Sequence, residues 1–171
     1  MIELYYWTTP NGHKLTMFLE ESGMPYTIHP INIREKAQMK PEFLKISPGH
    51  KIPAIVDQEG PGGATVTLCE SGAIFKYLGE KSGQFYPTDA ATRAKVDQWL
   101  FYGSATFTTL AQQFGTWAVR NTEKVPAAMK HLDAVLRDML GTRAPHAPPT
   151  QLVPGPTHPP DIPKSPHRAA P

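Results

Sequence analysis

One stretch constrains the fold of this chain more than any other: an apolar run from Ile2 to Trp7, a turn Thr9-Pro10-Asn11-Gly12-His13-Lys14, a helical pattern, and a second run from Tyr26 to Ile31. The helix, expected over 11–22, carries Leu15, Phe18, Leu19 and Ser22 at i, i+3, i+4, i+7 spacing, and Gly23 with Pro25 beyond it ends the pattern. Strand, helix and strand joined by a tight second connection make a βαβ unit, which requires a parallel strand pair and a right-handed crossover. No GxGxxG follows the first strand, which excludes a dinucleotide-binding fold of the Rossmann kind. Thr9 suits a helix N-cap and Pro10 the first turn, so the N–H groups of Asn11, Gly12 and His13 are expected to converge as an anion site.

Beyond this unit the sequence predicts a short helix near 41–45, strands at 53–57 and 64–68, and a helix at 71–81. Residues 88–140 read as helical only. Thr88 or Asp89 caps a long helix that places Val96, Trp99, Leu100, Gly103, Phe107, Leu110 and Phe114 on one face. A second helix is expected from near Glu123, with Pro126 in its first turn. Two helices cannot close a core alone, so the 96–114 face needs the α/β part, a further segment or another chain. Gly83 to Pro87 links the two regions. Residues 142–171 hold ten of the 19 prolines and few large apolar side chains, and the stretch 141–171 is expected to be a disordered Pro-rich tail.

Three function classes receive no support. The formal net charge is +2, and residues 142–171 contribute three Lys or Arg against one Asp, so residues 1–141 balance and no nucleic-acid surface is indicated. No apolar run approaches the roughly 20 residues of a membrane span, and no signal pattern opens the chain, so a cytoplasmic protein without membrane partners is expected. Cys69 is the only cysteine, which rules out an internal disulfide, a CxxC pair or a thiolate zinc site, and the seven His lack ligand spacing, so no metal is expected. Any redox chemistry must borrow its thiol. Cys69 itself lies before a helix, has no resolving partner, and reads as a strand-end residue.

Two further motifs could carry chemistry. In Ser47-Pro48-Gly49-His50-Lys51-Ile52-Pro53-Ala54-Ile55-Val56-Asp57 a proline stands at the start of a buried strand, where it is tolerated for want of an N–H. The alternative is a cis Ile52–Pro53 bond that turns the Ile52 backbone outward to pair with a peptide-like ligand. Cys69-Glu70-Ser71-Gly72-Ala73-Ile74 opens a second helix. Its plain reading is a helix cap; as a site it would hold a zwitterion, Glu70 facing an ammonium while Ser71 and free N–H groups take the neighbouring carboxylate.

From Met1 to about Lys81 these elements together resemble the thioredoxin-like N-terminal domain of cytosolic glutathione transferases. The KIPAI and ESGAI segments carry the superfamily likeness, and LYYWTTPNGHK with PINIREKAQMKPEFLKISPGHKIPAIVD is similar to the bacterial Nu-class group, akin to disulfide-bond oxidoreductases and fungal nitrogen-regulator homologues. The resemblance implies an α/β thioredoxin-like domain (βαβ-α-ββα) over 1–83, a partial all-α glutathione transferase C-terminal domain over 88–140, then the tail. It implies glutathione as co-substrate, with a small electrophile or a disulfide as second substrate, and a homodimer. Thr9 and Asn11 match positions beside the glutathione sulfur; Gln38, Lys51 and Ile52 with Pro53 match contacts to the tripeptide; Glu70 and Ser71 match the γ-glutamyl clamp. His50, Lys40, Tyr5 and Tyr6 receive no role. Lowering a thiol pKa from about 8.5 to about 6.5 needs some 2.7 kcal/mol of preference for the thiolate, within reach of a helix N-terminus plus one hydrogen bond to the anion.

The likeness weakens after residue 115. Where the family has an arginine that helps to bind glutathione, this chain reads Pro126-Ala127-Ala128-Met129-Lys130-His131, and neither Lys130 nor His131 offers a guanidinium fork. The second domain is therefore expected to be truncated and the acceptor site incomplete, with a non-catalytic or decayed glutathione-binding protein as the alternative reading.

Overall fold

The computed structural model describes residues 1–120 and 126–141. The start expected near Glu123 and nearly all of the expected tail lie outside them. Four strands, β1 (Ile2–Tyr6), β2 (Tyr26–Pro30), β3 (Ala54–Asp57) and β4 (Val66–Cys69), form one sheet in the order β2-β1-β3-β4. β1 and β2 run parallel, as the βαβ reading requires, while β3 is antiparallel to both β1 and β4. Helix α1 (Pro10–Ser22) is the crossover; α2 (Pro41–Leu44) and α3 (Ser71–Ser82) complete the domain. Two short 3₁₀ turns, Ile33–Glu35 and Ala37–Met39, fill a stretch with no readable period.

Alternation on β1 decides the layering. Ile2 and Leu4 point into a core with Leu15 and Leu19 of α1, Ile55 of β3, and Ile74 and Leu78 of α3, so both helices cover one face of the sheet. Tyr5 points to the other face, stacks on His29 at 4.8 Å and meets the buried Phe43 of α2. All four residues of β3 are buried, as befits a central strand.

The last residue of β3, Asp57, is a fully buried carboxylate. It accepts hydrogen bonds from the Lys81 ammonium, from Tyr77 Oη at 2.5 Å and from the Glu59 N–H at 3.0 Å. Burial alone would raise its pKa; the hydrogen bonds from Lys81, Tyr77 and the Glu59 backbone, with the Lys81 charge, outweigh burial and hold it below the ordinary carboxylate value. A carboxyl depressed in this way adds stability above its unfolded pKa, near 4, and that stability is lost as pH falls through the lower folded value. Asp57→Asn is expected to cost about 2 kcal/mol at pH 7 and much less at pH 3. Urea unfolding at the two pH values checks this, and equal losses at both would refute the linkage.

After α3, Gly83 stops the helix in the left-handed region at φ 69°, and the chain turns into α4 (Ala90–Phe101), capped by the Asp89 side chain on the Thr92 N–H. The helix continues through a π-helical turn at Tyr102–Phe107 into α5 (Thr108–Phe114), then a second π-helical turn at Gly115–Arg120. Helix α6 (Pro126–Gly141) packs on α5 and buries Leu132. A polar clamp joins the two regions: Asp97 of α4 takes the Lys76 ammonium of α3 at 3.1 Å and the Tyr86 hydroxyl at 3.0 Å. Arg93 lies over the Tyr86 ring, 5.1 Å from its centroid, and its Nε donates to the Pro87 carbonyl.

Candidate functional site

A cleft of about 780 Å³ lies where the first turns of α1 and α3 meet the long helix. Of the eight expected site residues, Thr9, Asn11, Gln38, Lys51, Ile52 and Ser71 line it. Pro53 is buried behind Ile52, and Glu70 sits next to Ser71 on an exposed position. The far wall is apolar, with Phe75 of α3 and Trp99, Leu100 and Phe107 of the long helix. Four of the seven residues expected on one helical face, Trp99, Leu100, Gly103 and Phe107, belong to that wall; Val96, Leu110 and Phe114 do not. The π-helical turn at Tyr102–Phe107 shifts the face that follows it, so that Thr108, Ala111 and Gln112 line the cleft where a strict 3.6-residue period puts Leu110 and Phe114.

At α1 the structure corrects one expectation. Thr9 is the N-cap and Pro10 the first helical residue, as the sequence suggests, but the Gly12 N–H goes to Thr9 Oγ1 at 3.3 Å and the His13 N–H to the Thr9 carbonyl at 2.9 Å. The first turn thus consumes two of the three N–H groups expected to face an anion. What remains for a ligand is the Asn11 N–H, the hydrogen of the Thr9 hydroxyl and the Asn11 carboxamide. Gly12 permits the turn to lie directly on β1, because a Cβ there would stand 2.3 Å from the Trp7 carbonyl oxygen.

Across the cleft, Ser47 ties the 47–51 loop by donating to the Lys51 carbonyl at 2.8 Å, and the Ile52–Pro53 peptide is cis. Sheet pairing begins only at Ala54, so the Ile52 backbone stands beyond the ladder. Glu70 adopts φ 70° and ψ 109°, a conformation rare outside glycine, and makes no side-chain cap on α3. The N–H groups of Ser71 and Gly72 are left to the N-terminus of a 12-residue helix. Gln38 Oε1 is a buried acceptor without a partner among the described residues.

Two titratable cleft residues went unselected in the sequence. His50, set aside as a surface residue, lines the cleft at φ 55°. Lys14 lines it too: its ammonium donates to Asn11 Oδ1 and to Thr108 Oγ1, each at 3.0 Å, and burial holds its pKa below the ordinary lysine value. Its three-residue spacing from Asn11 on a helix was the signal available. Lys130 and His131 are exposed and do not line the cleft. Tyr5 and Tyr6 are also outside it; Tyr6 Oη instead meets His13 Nδ1 at 3.1 Å. Cys69 is a free thiol at the end of β4. Among the described residues, no group of three or more His, Cys, Asp or Glu could hold a metal ion, and no helix is long and apolar enough to cross a membrane.

Residues 8–81 match the family model of the glutathione S-transferase N-terminal domain. The chain is 50% identical over 103 residues to the disulfide-bond oxidoreductase YfcG of Escherichia coli K12, covering 60% of this chain and 48% of that protein. It is 38% identical over 114 residues to YghU of the same organism, another disulfide-bond oxidoreductase, covering 62% and 39%. This chain thus spans about half, or less, of the length of the curated relatives it matches. Among solved structures, a glutathione transferase of Pseudomonas putida with bound glutathione disulfide superposes with a TM-score of 0.79 at 36% identity, covering 82% of this chain and 62% of that one. A Pseudomonas fluorescens family member with two bound glutathione molecules gives 0.79 at 37%, covering 82% and 63%. By that match and those relatives the chain carries, over residues 8–81, a segment similar to the N-terminal domain of glutathione S-transferases.

Proposed function

We propose that the cleft binds glutathione with its sulfur beside Thr9 and Asn11, and that the chain stabilises the thiolate for attack on a small electrophile or a disulfide. The observation that carries this reading is one cleft that gathers two helix N-termini, the Ile52 backbone beyond the sheet ladder and the unpartnered Gln38 acceptor. A tripeptide offers a matching set: amide N–H groups for acceptors, carboxylates for helix N-termini, and a thiol. Glu70 would take the γ-glutamyl ammonium, Ser71 and the α3 N–H groups the carboxylate beside it, and Lys51 the glycyl carboxylate. The glutathione-bound relatives support the ligand, and the oxidoreductase names of YfcG and YghU support disulfides as one substrate class.

In the disulfide reaction the bound thiolate attacks one substrate sulfur, forms a mixed disulfide and releases the other sulfur as thiolate; a second glutathione thiolate then attacks the glutathione sulfur of the mixed disulfide, forms glutathione disulfide and releases the remaining substrate sulfur as thiolate. In conjugation the same thiolate forms a carbon–sulfur bond and the leaving group departs with its electron pair. A cytoplasmic setting and a homodimer belong to the same proposal, the latter supported by the exposed side chains of Phe85 and Phe101.

Glu70→Ala tests the ligand assignment. It is expected to weaken glutathione binding about 10- to 100-fold, the loss of one or two charge-assisted hydrogen bonds. Retention on immobilised glutathione and calorimetric titration read it; unchanged affinity refutes the placement of the γ-glutamyl group. Tight retention by the unaltered protein with no turnover of any disulfide or electrophile would favour a binding protein over an enzyme.

A further inference from the structure

Lys14 stands in the cleft with no counter-ion among the described residues. Its ammonium has two hydrogen-bond partners, Asn11 Oδ1 and Thr108 Oγ1, and no ion pair joins it to a carboxylate among the described residues. Among the described residues, the charged or titratable side chains that line the cleft with it are His50 and Lys51 from the 47–51 loop; α3, α4 and α5 contribute none, and no acid lines the cleft. A partly buried cation with neutral partners only is a standing site for an anion.

The ammonium also decides which way Asn11 points. It has three donors and no acceptor, so the Asn11 atom beside it must be the carbonyl oxygen, whatever the difficulty of telling oxygen from nitrogen in a carboxamide. The NH₂ group then has no partner among the described residues and remains as a donor at the cleft. Because the first turn of α1 spends two of its three expected N–H groups on Thr9, a helix N-terminus alone supplies less than the sequence suggests.

We infer that Lys14 is a positioning residue for the thiolate: it fixes the Asn11 carboxamide with its NH₂ toward the sulfur and supplies the positive charge that compensates the anion. The inference rests on the proposed glutathione thiolate and deepens it. Thr108, whose hydroxyl in turn donates to the Gly103 carbonyl at 2.6 Å, holds the ammonium from the helical side, so the charge is placed by both walls of the cleft.

The test is an ultraviolet titration of the thiolate of glutathione bound to the full chain, for the unaltered protein, Lys14→Met, Lys14→Gln and Lys14→Arg, with the affinity for S-methylglutathione as a control that carries no ionisable sulfur. The unaltered protein is expected to lower the thiol midpoint below its value in buffer. Lys14→Met and Lys14→Gln should each raise the bound midpoint by about one pH unit, a tenfold loss of thiolate, while Lys14→Arg stays near the unaltered value. S-methylglutathione affinity should change by less than about threefold in all of them. The Gln variant keeps a polar chain, so a folding defect confined to Lys14→Met leaves the comparison intact. Equal midpoints in the unaltered protein and the uncharged variants overturn the role of Lys14 alone. Loss of S-methylglutathione binding in both uncharged variants shows Lys14 to be a structural pin and overturns it as well. A midpoint in the unaltered protein identical to that in buffer overturns the proposed function together with this inference.

Discussion

Asn11→Ala is expected to lower kcat/KM for the glutathione-dependent reaction by about 100- to 1000-fold, the usual cost of removing one donor aimed at a developing or resident anion in a shielded site. Asn11 is the second residue of α1, inside the turn capped by Thr9, and its carbonyl oxygen is taken by Lys14. The substitution therefore removes the NH₂ donor and at the same time leaves the ammonium with Thr108 as its one partner. Binding of the neutral thioether S-methylglutathione should fall less than about tenfold, since most of the proposed peptide contacts come from other residues. Steady-state kinetics against a chromogenic electrophile and a low-molecular-weight disulfide separate the two effects. A loss below about threefold in both reactions would place the sulfur elsewhere in the cleft.

The second large effect is on stability. Gly12→Ala puts a Cβ 2.3 Å from the Trp7 carbonyl oxygen and 2.7 Å from the Tyr6 ring, and a main-chain oxygen cannot swing aside as a side chain would. Either α1 lifts away from β1 or the Thr9 cap opens, and both expose core around Leu15 and Leu19. The expected cost is about 3 kcal/mol, at the upper end for overpacking, or a fall of about 10 °C in Tm for a chain of this size. Gly49→Ala is the matched control: nothing lies within 4 Å of its would-be Cβ, so its Tm should stay within about 2 °C of the unaltered protein. Similar Tm values for both variants would show that the close approach at Gly12 is not needed.

The sequence announced the βαβ unit because its periods are clean: Ile2 and Leu4 alternate with half-buried residues of the opposite face, and Leu15 and Leu19 repeat on one helical face. Capping signals placed both ends of α1 to within a residue, at Thr9 by its hydroxyl and at Gly23 by left-handed backbone, whereas α3 begins at the expected Ser71 without any side-chain cap. Motif resemblance brought Thr9, Asn11, Gln38, Lys51, Ile52 and Ser71 forward, and the structure puts these six around one cleft. Other features were not legible because they depend on how hydrogen bonds are shared out or on distant partners. Which N–H groups Thr9 absorbs depends on cap geometry. The π-helical turn, after which Thr108, Ala111 and Gln112 line the cleft in place of Leu110 and Phe114, leaves no mark in a 3.6-residue pattern. Lys14 reads as an ordinary polar helix residue until Thr108, 94 positions away, comes to rest beside it.

The clamp of Asp97, Lys76, Tyr86 and Arg93 bears on how molecules reach the cleft. It fastens the connecting segment to α3 and α4 at once. Under the proposed function, a second substrate would enter a cleft whose connecting segment is tied on both sides. Selectivity among second substrates would accordingly fall to the aromatic wall formed by Phe75, Trp99 and Phe107.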